Sequence, residues 1–191
     1  MKQSEALDLY RRTGAYLEGH FRLSSGLHSS GYMQSALVLQ YPADAEKLGA
    51  GIAERVKQLN PSLVLSPALG GLIIGHEVAR ALGVRAMFAE RAGGTELTLR
   101  RGFVLSPDDR VLVVEDVLTT GKSTRETIEV ARQAGARVVG AAAIVDRSGG
   151  AIDFGMPLFA LVSLELPAYE ADKCPMCAQG IPAVKPGSRP T

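Results

Sequence analysis

The stretch from Val111 to Thr124, VLVVEDVLTTGKST, constrains the fold more than any other part of the chain. It opens with an unbroken apolar run, Val111 to Val114, which is typical of a strand buried on both faces of a parallel sheet. Two carboxylates, Glu115 and Asp116, follow where this strand should end, and a loop of small residues then leads into a helical pattern. The stretch therefore predicts a strand, a polar turn and a helix.

The predicted turn is suited to an anion. Hydroxyls and backbone N–H groups gather at the start of the helix, where a phosphate is favoured, and the carboxylates beside them suit ribose hydroxyls or a hydrated Mg²⁺. A nucleotide-binding P-loop is excluded, because its first glycine would stand five positions before Gly121, where this chain has Asp116. An ordinary strand-to-helix turn with a Ser/Thr cap is the bland alternative.

These residues resemble the signature of the phosphoribosyltransferases, a hydrophobic strand with two acidic residues and a Thr/Gly-rich loop that holds the 5-phosphate of phosphoribosyl pyrophosphate (PRPP). The resemblance implies that Glu115 and Asp116 are catalytic and hold the ribose hydroxyls. It implies Mg²⁺ as cofactor, carried mostly by the pyrophosphate of PRPP, with no metal site of the protein's own. The PRPP-binding residues that it implies here are Glu115, Asp116, Val117, Leu118, Thr119, Thr120, Gly121, Lys122, Ser123 and Thr124.

The composition narrows the class of protein. With 191 residues, of which 46% are hydrophobic and 21% charged, we expect one globular domain spanning 1–191. The 21 basic and 20 acidic residues nearly cancel, which argues against a nucleic-acid surface. No apolar run approaches the roughly 18 residues that a membrane span needs, and the N-terminus lacks a signal core. The expectation is a cytoplasmic enzyme with no membrane partner.

Residues 1–40 are predicted to form a helix over Ser4–Leu17 and then a hairpin-like hood. The run Phe21-Arg22-Leu23-Ser24-Ser25-Gly26, with a serine and Tyr32 soon after, resembles the hood of the orotate phosphoribosyltransferases, which closes over the pyrimidine ring. Ser24 stands where many relatives carry a lysine. A surface hairpin without a ligand is the alternative. The orotate-binding residues that the resemblance implies in this segment are Ser25, Gly26, His28 and Tyr32.

Residues 41–166 are predicted to be the α/β core, in which strands and helices alternate around a mostly parallel sheet flanked by helices. A strand at Leu63–Ser66 leads into a Gly-Gly turn and a helix, which predicts a second anion cradle or a packing turn. The resemblance makes this turn the pyrophosphate loop. Its PRPP-binding residues would be Ala68, Leu69, Gly70 and Gly71.

The segment Arg91 to Arg101 is predicted to be a flexible hairpin lid, because three arginines, a Gly-Gly pair and a glutamate fall close together. Such a lid could close cations over a pyrophosphate leaving group, although a solvated arm would look the same. The resemblance implies that Arg91 binds PRPP and takes part in catalysis. It also implies a homodimer whose lid reaches the partner's site. Arginines replace the family's usual lysine and histidine in this loop.

Arg147 follows the apolar run Val138–Val145 and should lie at the carboxyl end of a strand, where ligands collect in open α/β sheets. Its planar fork suits a carboxylate or a pair of ring carbonyls, although a surface ion pair with Asp146 is the alternative. The resemblance implies that Arg147 and Thr119 bind orotate.

The loop-rich tail, 167–191, contains Cys174 and Cys177. This pair is half of what zinc needs, and no histidine follows at a useful spacing. No metal site is predicted here, and the cysteines are left without a role.

Hood, pyrophosphate loop, lid, PRPP motif and base-binding arginine occur in the order found in the orotate phosphoribosyltransferases. The expected reaction joins orotate to PRPP and releases pyrophosphate, giving orotidine 5′-monophosphate on the way to UMP. Two alternatives stay open. One is a purine phosphoribosyltransferase, which would share the PRPP motif, and the other is a PRPP-sensing regulator that binds nucleic acid.

Overall fold

The computed structural model describes residues 1–23, 26–91, 93 and 96–185. The α-helices among them are α1 (Gln3–Arg12), α2 (Ser35–Leu39), α3 (Pro42–Val56), α4 (Gly71–Leu82), α5 (Lys122–Gln133) and α6 (Pro175–Ala178). The strands are β1 (Tyr16–Arg22), β2 (His28–Met33), β3 (Leu63–Pro67), β4 (Arg85–Arg91), β5 (Leu97–Leu99), β6 (Arg110–Leu118), β7 (Arg137–Asp146), β8 (Leu158–Ser163) and β9 (Ala168–Tyr169). Short 3₁₀ helices occupy Lys57–Leu59 and Ala171–Lys173. Within these described ranges, no helix has the length and apolar character to span a bilayer.

The central sheet has six strands in the order β5-β4-β3-β6-β7-β8. All neighbouring pairs are parallel except β4 and β5, which form an antiparallel hairpin at the sheet edge. This confirms the predicted α/β class with a mostly parallel sheet. Strand β6, which contains the apolar run Val111–Val114, lies in the interior of the sheet between β3 and β7.

Alternate side chains of β6 enter two different cores. Leu112 and Val114 pack in the cluster that contains residues of α1, α3 and α4, whereas Val111 and Val113 pack in the cluster that contains residues of α5. All four side chains are fully buried. Burial on both faces explains why this strand shows a continuous apolar run instead of alternation.

The hood, defined here as Tyr16–Met33, contains β1 and β2. These two strands form a separate antiparallel sheet, to which the tail adds the short strand β9. The tail also pairs with β1 through a bridge between Phe21 and Val184. The predicted hairpin is therefore present, with the tail as an additional partner that the sequence did not indicate. Ser24 and Ser25 lie outside the described residues, as do Ala92, Gly94 and Thr95 of the predicted lid and residues 186–191.

Two predicted boundaries are wrong. The helix predicted over Ser4–Leu17 ends at Arg12, because Gly14 adopts a left-handed conformation with φ +67° and the chain then enters β1. The strand predicted to end before Glu115 continues to Leu118, since β7 pairs with it as far as Asp146. Glu115 and Asp116 therefore lie inside the strand.

Helix α3 contacts α4 through Gly49, where an added Cβ would come within 2.6 Å of the Glu77 Cβ and 2.8 Å of its backbone carbon. We expect Gly49→Ala to destabilise the protein by about 1–3 kcal/mol through overpacking, although alanine is the better helix former by about 1 kcal/mol. The melting temperature should fall by about 2–4 °C per kcal/mol. Calorimetry checks this, with the exposed Ala50→Gly as the reference for helix propensity alone. A Gly49→Ala protein that melts higher than the wild type would contradict the close contact.

Candidate active site

A cavity of about 980 Å³ opens at the carboxyl ends of β3, β6 and β7, beneath the hood. Parallel strands deliver the residues that follow them to the same rim of the sheet, which is where ligands bind in open α/β folds. The described residues that line the cavity are Leu23, Leu27, Tyr32, Met33, Gln34, Pro67, Ala68, Gly70, Glu115, Asp116, Val117, Thr119, Thr120, Lys122, Ser123, Arg147, Leu166 and Ala168.

The two carboxylates of β6 differ in environment. Glu115 is buried, and its Oε1 accepts a hydrogen bond of 3.1 Å from the backbone N–H of Asp116. Burial, followed by the charge of Asp116, raises the pKa of Glu115 well above its usual value. Asp116 is partly buried and faces the β3–α4 turn. The site therefore combines a carboxyl that holds its proton to higher pH with a neighbour that is more open to the cavity.

The loop after β6 has the geometry of an anion site. Gly121 takes the left-handed conformation with φ +72°, and α5 begins directly afterwards at Lys122. The first N–H groups of a helix have no acceptor within it and are free for a ligand. Thr119, Thr120 and Ser123 line the cavity beside them. Within the stretch Glu115–Thr124, three of the predicted PRPP-binding residues do not line the cavity: Leu118 and Thr124 are buried, and Gly121 packs against Phe154.

The turn between β3 and α4 lies directly opposite Asp116. An added Cβ on Gly70 would come within 2.7 Å of the Asp116 Oδ1, so a larger residue here would displace the Asp116 carboxylate. Ala68 and Gly70 line the cavity, whereas Leu69 is 82% exposed and Gly71 packs against Ser66. The Ala68–Leu69 peptide bond is cis. Half of the four residues predicted in this turn thus face the cavity.

Arg147 enters the cavity from the end of β7 and lies against the hood. One terminal nitrogen, Nη2, is 3.4 Å from both the Ser29 Oγ and the Gly31 carbonyl, while Nε is buried and has no hydrogen-bond partner among the described residues. Burial lowers the pKa of Arg147, but a guanidinium remains charged in proteins. The predicted alternative, an ion pair with Asp146, is not found: the Asp146 Oδ1 accepts from the backbone N–H of Ser148.

The hood contributes an aromatic and apolar roof. Leu23, Leu27 and Tyr32 line the cavity. Burial, with the charge of Asp116 second, raises the pKa of Tyr32, so its hydroxyl stays a hydrogen-bond donor at neutral pH. Gly26 and His28 are described but do not line the cavity, and the buried ring of His28 contacts His20. Ser25 lies outside the described residues.

The described lid residues are bound to their own chain. Arg91 donates to Glu126 of α5 over 2.5 Å, and Arg101 forms a bidentate pair with Glu90 at 2.8 and 3.0 Å. Arg100 lies 3.7 Å from the same glutamate. The described residues that line the cavity include none of these three arginines.

Sequence reasoning missed several cavity residues, notably Leu27, Gln34, Leu166 and Ala168. Leu166 and Ala168 come from the start of the tail, which reaches the cavity because β9 pairs with β2 of the hood. Nothing local in the sequence marks them. The extended Ala-Tyr pair of β9 is too short to give a periodicity signal.

The chain matches known proteins in sequence and in fold. Residues 38–156 match the phosphoribosyl transferase domain family. The chain is 53% identical to the orotate phosphoribosyltransferase of Pelotomaculum thermopropionicum over 189 residues, covering 99% of both chains. It is 51% identical to that of Heliobacterium modesticaldum, covering 99% of this chain and 100% of the relative. The crystal structure of the Aeropyrum pernix orotate phosphoribosyltransferase superposes with a TM-score of 0.68 at 29% identity, over 83% of this chain and 93% of that one.

The raised pKa of Glu115 leads to a test of the cavity's electrostatics. A carboxyl whose pKa is higher in the folded than in the unfolded state costs stability as the pH rises above the unfolded value of about 4.3. Glu115→Gln cannot ionise and avoids this cost. We therefore expect its melting temperature to match the wild type near pH 4 and to exceed it by about 3 °C or more at pH 8. Calorimetry across this range measures the difference.

Glu18→Gln, at an exposed position of β1, controls for the simple loss of one negative charge. A difference between wild type and Glu115→Gln that is the same at every pH would mean that Glu115 ionises normally in the folded chain.

Proposed function

The chain belongs to the orotate phosphoribosyltransferase family, and we propose on this basis that it transfers the phosphoribosyl group of PRPP to orotate, releasing pyrophosphate and giving orotidine 5′-monophosphate. The observation that carries the proposal is the cavity itself. It brings the loop from Thr119 to Ser123 and two carboxylates together with Arg147, whose Nε has no hydrogen-bond partner among the described residues, beneath Tyr32 of the hood. The proposal is supported by the identity of about half of the residues, over nearly the whole chain, to proteins named for this activity.

Orotate would bind between Arg147 and the hood. The Arg147 guanidinium and the Tyr32 hydroxyl are donors that suit the carboxylate and ring carbonyls of a pyrimidine acid. Thr119 lies on the same cavity and completes the predicted set. We leave His28 out of this site because its ring is engaged with His20.

PRPP would occupy the other half of the cavity. The 5-phosphate would bind the loop Thr119–Ser123 and the start of α5, where N–H groups and hydroxyls favour an anion. The ribose hydroxyls would bind Glu115 and Asp116. The pyrophosphate would lie along the turn at Ala68 and Gly70, where the lack of a side chain on Gly70 keeps the path to Asp116 open.

The chemistry needs positioning and electrostatic stabilisation more than acid–base groups. Breaking the bond between C1 and the pyrophosphate develops positive charge on the ribose and negative charge on the leaving group. The carboxylate of Asp116 would stabilise the cationic sugar, while Glu115, whose pKa is raised by burial, would hold a ribose hydroxyl. Closure of the hood would exclude water from the reacting centre.

Mg²⁺ is the cofactor that we propose. A hard cation prefers oxygen ligands, and the cavity fits this, since the Asp116 carboxylate and the Thr119 and Thr120 hydroxyls line one wall. The ion would be carried mostly by the pyrophosphate of PRPP, and Asp116 would contact it through water. When bound with PRPP, Mg²⁺ would offset charge on the leaving group. We also propose, from the family to which it belongs, that the protein acts in the cytoplasm.

A spectrophotometric assay tests the function directly. The purified chain is incubated with PRPP and Mg²⁺ and with orotate, uracil, adenine or hypoxanthine in parallel. Turnover of orotate alone, dependent on both PRPP and Mg²⁺, is the expected result. Turnover of a purine would be consistent with the proposed PRPP site but would contradict the proposal that Arg147 binds orotate. Binding of PRPP without any turnover would favour a sensor instead.

Arg147→Ala is expected to raise the KM for orotate by about tenfold or more, the equivalent of one charge-assisted hydrogen bond. The KM for PRPP should change far less, because Arg147 lies on the orotate side of the cavity. Initial rates with each substrate varied in turn measure both constants. Arg147→Lys is the matched control, which keeps the charge and loses the fork. Equal rises in both KM values would show that the base pocket lies elsewhere.

The lid is proposed to act on the neighbouring copy of a homodimer, because Arg91 contacts Glu126 and does not line its own cavity among the described residues. Arg91→Ala and Asp116→Asn should each lose most activity. Mixed after reversible dissociation, they should recover about one quarter of the wild-type rate, since half of the dimers carry both changes and each of these has one intact site. No recovery from dimers that are shown to exchange would place Arg91 in its own chain's site.

A further inference from the structure

Two histidines and two cysteines that are far apart in the sequence meet where the tail crosses the hood. They are His20 of β1, His28 of β2, Cys174 and Cys177, and their ligand atoms all lie within 4.8 Å of one another. His28 and Cys177 are 149 residues apart along the chain. This explains why spacing alone failed to connect the Cys-x-x-Cys pair with any histidine.

The distances within this group suit a small tetrahedral ion. The Cys174 Sγ lies 3.4 Å from the His20 Nε2, and the Cys177 Sγ lies 3.3 Å from the His28 Nδ1 and 3.8 Å from the His20 Nε2. Zinc bonds of about 2.0–2.3 Å in a tetrahedron place ligand atoms about 3.3–3.8 Å apart. The two ring nitrogens are closer, at 2.7 Å, and would separate by about half an ångström around an ion.

The surroundings fix the orientation of one ligand. The His20 Nδ1 is 2.7 Å from the carbonyl oxygen of Ile181. A carbonyl oxygen only accepts, so this nitrogen carries the hydrogen and leaves a lone pair on Nε2, which faces the two cysteines. Support of the distal ring nitrogen by a carbonyl is the usual arrangement around histidines that bind metals.

The tail needs such an anchor. Between Glu170 and Lys185, Cys174 is the one buried side chain among the described residues. The main-chain bonds that fasten this segment to β1 are few, with Val184 donating to the His20 carbonyl and accepting from the Arg22 N–H. A segment with almost no apolar core of its own is commonly held by a disulfide or a metal. Here the two cysteines are free and the donor set is Cys₂His₂.

We propose that His20, His28, Cys174 and Cys177 bind one Zn²⁺ as a closed structural site that fastens the tail to the hood. Four protein ligands of this type leave no open position for substrate, so the ion would act on structure and not on chemistry. The ion would lie at the turn end of the β1–β2 hairpin, where Arg22 pairs with His28, and would hold the adjoining Leu23 and Leu27 over the cavity. Metal content is therefore expected to affect orotate binding through the hood.

Elemental analysis of the chain as purified, without chelators, tests the proposal. We expect about one zinc per chain in the wild type and in His76→Ala, which removes the exposed third histidine. The double variant Cys174→Ser/Cys177→Ser should hold less than about a tenth of this. Because that variant could fail to fold, His28→Cys is compared with His28→Ala: the first supplies another thiolate and should keep the zinc, and the second should lose it.

Two further measurements do not depend on turnover, so their failure leaves the proposed reaction untouched. Refilling the stripped wild type with Co²⁺ should give the intense visible bands of tetrahedral cobalt with thiolate charge transfer. Stripping should lower the melting temperature by about 5 °C or more. The proposal is overturned if the wild type binds no stoichiometric zinc when it is offered. It is equally overturned if the cysteine variant keeps its zinc, or if Cys174 and Cys177 form a disulfide in protein purified without air.

Discussion

The burial of β6 on both faces is the constraint on which the rest of this structure depends. Val111 to Val114 send alternate side chains into two cores, so the strand must lie inside the sheet with parallel neighbours on each side. Parallel neighbours end at the same rim. The residues that follow β3 and β7 are thereby brought to the carboxylates of β6, and Gly70 and Arg147 meet Asp116 at one cavity although the chain separates them widely.

The cavity contains little fixed positive charge for a ligand that carries several phosphates. Lys122 and Arg147 are the cationic side chains among its described lining, and Glu115 and Asp116 oppose them. Two features reduce the repulsion that the carboxylates would exert on an anionic ligand. Burial keeps the proton on Glu115 to higher pH, and the start of α5 offers N–H dipoles that cost no desolvation of a charged side chain. An anion in this cavity would therefore be held mainly by the main chain.

Most of the fold could be predicted from local sequence patterns. The sequence predicts the strand, turn and helix around Val111–Thr124 because the continuous apolar run and the turn residues indicate the same structure there. The two wrong boundaries have different causes, one non-local and one local. Pairing with β7 extends β6 past its carboxylates, and a single glycine ends α1 early. The position of Arg147 at the cavity could be predicted from its place after a strand, whereas the contact of His28 with Cys177 could not, because these two residues are 149 positions apart.

The hood contacts two parts of the chain that lie far from it in sequence, Arg147 at the end of β7 and the tail. On one side, β2 meets Arg147 through contacts of 3.4 Å at Ser29 and Gly31, which are long for hydrogen bonds. On the other side, β1 and β2 meet the tail through His20 and His28. A ligand on Arg147 would compete with or reinforce its weak contacts to the hood, while the tail contacts would stay in place. The hood is therefore held at its turn end by the contacts of the histidines with the tail, whereas its long contacts with Arg147 are weak enough to change when a ligand binds.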